Sequence, residues 1–205
     1  MTVLLYGGAG LIAAGYLYFI YVYFTNRNKK TKKNSLDLII KSFDNNSINF
    51  VEVKGRLFSS YNVERGLVKL TSRSYDKNDN FSLAVASLLS GYANNKNRFL
   101  IIVGKIIREV RIISFLPLIV LLLIFSLSSV MDFKIGIFFL IIILVYQYLF
   151  DLLNGKVVDD FNDKDEGILK VLKSFKLINS MFFIGTLIEL VRYIVMLFWG
   201  VLNEV

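Results

Sequence analysis

The chain has 205 residues, 55% of them hydrophobic, with a mean hydropathy of +0.57 and a formal charge of +8. It contains no cysteine and no histidine, which excludes disulfides, thiolate nucleophiles, cysteine metal sites and the usual general base near neutral pH. Such an average is high for a soluble domain and ordinary for a small polytopic membrane protein.

The first apolar run, 3–24, is long enough to cross about 30 Å of hydrocarbon. Gly7, Gly8, Gly10 and Gly15 punctuate it and predict close helix contact; Tyr16, Tyr18, Tyr21 and Tyr23 suit an interface. A cleaved signal peptide carries its basic residues before the apolar core. Here Arg27, Lys29, Lys30, Lys32 and Lys33 follow it, so the reading is an uncleaved anchor with its N-terminus outside.

The long polar segment, 26–111, leaves the membrane through that basic stretch. Residues 35–43 have a short helical apolar pattern and 44–49 are turn material. Residues 50–53 read as a short strand. Two apolar runs, 57–61 and 67–71, flank 62–66 and predict a β-hairpin over 57–71. After a second turn at 75–80, with Ser82 or Asn80 available as cap, comes a central helix over 81–93. Its Leu83, Ala86, Leu89 and Ala93 share a face, which Val85, Leu88 and Tyr92 widen. A helix this apolar has to be buried. Residues 99–111 are apolar but carry Lys105, Arg108, Glu109 and Arg111; an interfacial helix that snorkels its cationic heads is cheaper than a crossing.

A second span is expected at 112–130, a hinge at 131–134, a third span at 135–153, a polar loop at 154–176 and a fourth span at 177–201. The last carries Glu189 and Arg192 at i,i+3, close enough to pair. That pair is either structural glue against a neighbouring helix or part of a polar path. Segment 26–111 holds most of the 24 Lys and Arg. By the positive-inside rule both polar segments lie in the cytoplasm and both termini outside. The expected fold class is therefore an α-helical polytopic membrane protein, with four transmembrane helices and a small cytoplasmic α+β domain between the first and second. Topology and attraction to anionic lipid headgroups account for the basic charge, so nucleic acid is not expected as a partner.

The order of these features resembles that of bacterial neutral zinc metallopeptidases integral to the membrane. In that family a segment of the form Asp-His-Tyr-Asp, a strand with alternating leucines and a Ser-Pro-x-Val-Tyr turn precede a helix that begins Ser-x-Ala-Ala and ends His-Glu-x-Gly-His. The pieces here are Tyr61-Asn62, Leu67-Val68-Lys69-Leu70, Thr71 to Tyr75, and Ser82-Leu83-Ala84. Counting forward, the first histidine falls on Gly91, the glutamate on Tyr92 and the second histidine on Asn95. Later the family has Pro-Val-Glu-Phe-Asn-Ala-Ser-Arg-Arg-Ala. This chain has Val158-Asp159-Asp160-Phe161-Asn162, with Asp160 at the glutamate and Asp165-Glu166 where the arginines stand. The resemblance covers nearly the whole chain, implies a zincin-like remnant in the cytoplasmic domain, and places the protein in a bacterial plasma membrane.

The departure is chemical. A zincin needs two imidazoles one helical turn apart with a carboxylate base between them. Gly91 has no side chain, Asn95 is a poor zinc ligand, and Tyr92 cannot accept a water proton as a carboxylate does. Carboxylates at Asp76, Asp79 and Asp160 would suit Mg²⁺ or Ca²⁺ better than zinc, and the first two read more simply as turn residues. The glycines at 7, 8 and 10 lack the lysine of a phosphate-binding loop, and without histidine no ordinary triad forms.

The sequence thus predicts no catalytic residue, no metal and no cofactor. The implied function is that of an inactive peptidase-like protein, a scaffold, regulatory or assembly partner of another membrane protein or complex. Tyr61, Tyr75 and Asp160, with Tyr92 and Asn95, would line a dead cleft. Two alternatives stand beside it: a residual hydrolase with a non-histidine site, and a small transport or channel subunit.

Overall fold

The computed structural model describes residues 2–30, 49–54, 59–62, 65, 67–72, 75, 78–93, 99, 102, 117, 120, 133–159 and 166–203. Helix α1 is Thr2–Arg27, followed by strands β1 (Asn49–Val53), β2 (Ser60–Asn62) and β3 (Leu67–Thr71). Then come helices α2 (Asn80–Ala93), α3 (Phe133–Asp159) and α4 (Glu166–Asn203). The chain is mostly helical, with one small mixed α+β region. Among the described residues three stretches are long and apolar enough to cross a membrane: Gly7–Arg27, Ile135–Leu153 and Glu166–Phe198. Most of the expected second span, 112–130, and most of the interfacial helix, 99–111, lie outside the described residues; Pro117 and Val120, which are described, are helical and buried.

The chain divides into two compact units. The first comprises residues 1–18, 114–149 and 177–205. Its packing rests on glycine. A Cβ on Gly8 would stand 2.5 Å from the Gly185 carbonyl oxygen, and one on Gly185 would stand 2.7 Å from the Ile12 side chain. Gly15 receives the Phe182 ring, which also lies 4.5 Å from the Tyr16 ring, centroid to centroid. Gly136 of α3 receives the Tyr193 ring of α4 in the same manner. Small residues let helix backbones approach in this way where lipid removes the hydrophobic drive to associate. Leu140, Ile143 and Leu144 are buried, whereas Phe138, Ile142 and Val145 of α3 and Ile184, Leu187 and Val191 of α4 are exposed, as side chains turned to lipid would be.

The second unit comprises residues 19–113 and 150–176. Its sheet has the order β1-β3-β2, with β1 parallel and β2 antiparallel to the central β3. The antiparallel pair matches Ser60 to Lys69 and Asn62 to Leu67, which falls within the expected hairpin; Leu57 and Phe58 lie outside the described residues. β3 buries Val68, Leu70 and Thr71, as a strand flanked on both edges should.

Helix α2 begins one residue before the expected start, and its cap is neither Ser82 nor Asn80. Asp79 caps it: Oδ1 accepts from the Ser82 backbone N–H at 2.8 Å and Oδ2 accepts from the Ser82 hydroxyl at 2.8 Å. The chain leaving α1 fastens the same point, since the Asn80 N–H donates to the Lys29 carbonyl at 3.2 Å and Lys30 bridges to Asp79. An aromatic cluster follows, with the Phe81 ring 6.0 Å from Phe19, 4.9 Å from Tyr23 and 5.6 Å from Phe175.

The polar loop expected over 154–176 is helix wherever it is described. Residues 154–159 close α3 and 166–176 open α4. Ile168, Val171, Leu172 and Phe175 are all buried. Their i, i+3, i+4, i+7 spacing is that of an amphipathic helix, and the lysines between them occupy its outer face.

The packing predicts opposite results for two neighbouring glycines. Gly8→Ala drives a Cβ into a backbone oxygen and should lower stability by about 1–3 kcal/mol. Nothing lies within 4 Å of a Cβ at Gly10, and Gly10→Ala should be neutral or slightly stabilising. Thermal unfolding of the two variants in detergent measures the difference.

Candidate functional site

Gly91 and Tyr92, two of the positions that the resemblance sets against a metal motif, lie in the second unit, at the end of α2. Every residue from Asn80 to Tyr92 is buried, so the described part of the helix offers no open face. Gly91 is buried. Tyr92 is 1% exposed, and its ring centroid lies 5.1 Å from that of Tyr61 on β2, within the range of favourable aromatic pairs. Two of the helix serines have structural partners. Ser82 is held by the Asp79 cap, and the Ser90 hydroxyl donates to the Ala86 carbonyl at 2.8 Å, a local bond that satisfies a buried hydroxyl within its own helix.

The structure brings Tyr61 and Tyr92 together. It places Tyr75 half-buried in a turn closed by its own N–H donating to the Thr71 carbonyl at 2.8 Å. Asn95 and Asp160 lie outside the described residues. Among the described residues no group of three or more histidine, cysteine or carboxylate side chains stands where it could hold a metal. Asp79, one of the carboxylates considered for an oxygen-ligand site, is used as the helix cap.

The first unit contains the other candidate. Glu189 is fully buried, and its Oε2 accepts from Arg192 Nε at 2.7 Å. Its Oε1 accepts from the Ala9 backbone N–H at 3.1 Å. The absence of a Cβ on Gly8 makes that reach possible, because one would stand 2.6 Å from Oε1. The Arg192 guanidinium carbon also sits 5.1 Å from the centroid of the Tyr193 ring. Both carboxylate oxygens therefore have partners, one on α4 itself and one on α1, which is the arrangement that holds a buried charge in place. About one turn before Glu189, Thr186 Oγ1 accepts from Gln147 Nε2 at 3.1 Å and donates to the Phe182 carbonyl at 2.9 Å. Sequence reasoning singled out Glu189 and Arg192 by their spacing. It missed Thr186 and Asn179, although Asn179, Thr186 and Glu189 recur at i, i+7 and i+10 and so share one helix face.

No family model, no curated protein and no solved structure matches the chain.

The pair geometry predicts strong non-additivity. Glu189→Leu leaves a guanidinium without its counter-charge and should cost about 3–5 kcal/mol. The double variant Glu189→Leu, Arg192→Leu should cost much less than that single change. A double-mutant cycle on unfolding in detergent reads the coupling.

Proposed function

We propose that this chain is a catalytically inactive membrane protein of metallopeptidase-like plan that works by binding, as a scaffold, regulatory or assembly partner of another membrane protein. The observation that carries this reading is Tyr92. Where the resemblance calls for a carboxylate base facing a metal and water, this side chain is buried against Tyr61. A position filled by a packed aromatic ring supports cohesion between helix and sheet. It provides neither a proton acceptor nor an opening for substrate.

Three further features support it. Histidine and cysteine are absent from the whole sequence. The carboxylate Asp79 caps α2, and both oxygens of Glu189 are engaged in helix contacts, which favours structural roles over hydrolysis or transport for these acids. The order of strand, hairpin and buried helix follows the peptidase plan with the chemistry removed. In this reading the protein lies in a bacterial plasma membrane with its termini outside and its mixed α+β unit in the cytoplasm. Arg27, Lys29 and Lys30, all exposed, meet anionic headgroups there. Recognition falls to the exposed residues of that unit, among them Val51, Glu52, Ser72 and Asn78.

The test is photo-crosslinking in native membranes, with a photoreactive side chain placed in turn at Val51, Glu52 and Ser72. The reading predicts a discrete adduct of one additional mass from at least one position, competed away by unlabelled chain. A folded, membrane-inserted protein that gives no adduct from any of the three contradicts it. Hydrolysis by the purified chain that is lost in Asp160→Ala would favour the hydrolase alternative instead.

A further inference from the structure

The first unit buries more polar groups than it pairs. Gln147 and Asn179 are each 4% exposed. Gln147 spends its amide N–H on Thr186, but its Oε1 has no hydrogen-bond partner. Asn179 has a partner on neither Oδ1 nor Nδ2. Thr186, fully buried on the same face of α4 as Asn179, already uses its hydroxyl both ways. The buried side chains beside them, Ile178 and Phe182, have nothing to donate or accept, and Glu189 beyond them spends its two oxygens on Ala9 and Arg192. Both amides belong to stretches apolar and long enough to cross a membrane. Hydrocarbon provides no hydrogen bonds, so unpaired amide groups at that depth are strongly disfavoured.

We infer that Gln147 and Asn179 are the two ends of an internal water-binding track along the inner face of α4. The chemistry of the orphaned atoms selects the ligand. They comprise two acceptors and one donor group, all uncharged. A metal cation would need acceptors alone, and an anion would need donors alone. A second protein chain cannot reach side chains this buried. Water is small, neutral, and both donates and accepts, and buried water characteristically satisfies internal polar groups of this kind. Asn179 and Thr186 are seven residues apart, about 10 Å along the helix axis, a distance that a short file of water molecules covers. The track leads to within three residues of Glu189. Water there would help an ionised carboxylate and guanidinium persist in an apolar bundle. This inference is independent of the partner-binding reading and stands or falls separately from it.

The experiment is water-edited solid-state NMR on the unsubstituted full chain in lipid bilayers, with side-chain amide signals assigned through their own backbone. Magnetisation should pass from water to the Asn179 and Gln147 amide groups several-fold faster than to the lipid-facing side chains of Ile142 and Ile184. Transfer to either amide no faster than to those isoleucines overturns the track.

Discussion

Glu189 is wholly buried on a helix long and apolar enough to cross a membrane, and a charge withdrawn from water is costly unless paired. Two partners meet it, the Arg192 guanidinium one turn on and the Ala9 backbone N–H of α1. The second contact requires α1 and α4 to approach until Gly8 and Gly185 are nearly backbone to backbone. Much else in the first unit follows from that approach. Ile12 is sealed against Gly185, the Phe182 ring closes over Gly15, and Gln147 comes from α3 to Thr186 on the same face of α4. A bundle in lipid gains little from hydrophobic association, so close packing and such polar contacts hold it.

In the second unit the decisive constraint is volume. Helix α2 is enclosed along its described length, with Phe81 in an aromatic cluster at one end and Tyr92 against Tyr61 at the other. A catalytic helix has to leave at least one face open to metal, water and substrate. Here the space is taken by side chains that contribute burial, on the order of 1.5–3 kcal/mol for each large apolar group.

The hydropathy of the spans was legible because twenty or so apolar residues leave little else to read, and the stretches over 7–27 and 135–153 coincide with that pattern. The glycines at 8 and 15 announced close contact and make it, whereas Gly10 of the same run faces nothing; composition does not say which side of a helix meets a neighbour. The segment 154–176 was misread because its lysines and acids suggested solvent, while the period of Ile168, Val171, Leu172 and Phe175 was the stronger signal. The capping role of Asp79 was hidden by two other good caps beside it, and only the backbone geometry chooses among them. At the candidate site, the absence of histidine and cysteine was visible in the residues themselves. The packing of Tyr92 against Tyr61 was not, because it joins a helix to a strand well before it in the chain through a sheet register that sequence pattern leaves open.

The central claim is that this chain binds a protein and performs no metal chemistry. Purifying it from native membranes in mild detergent, with bound metal quantified on the same sample, tests that claim most directly. The account predicts a protein partner at fixed stoichiometry and no metal above background in this subunit. Isolation of the chain alone with one metal ion per molecule would contradict it.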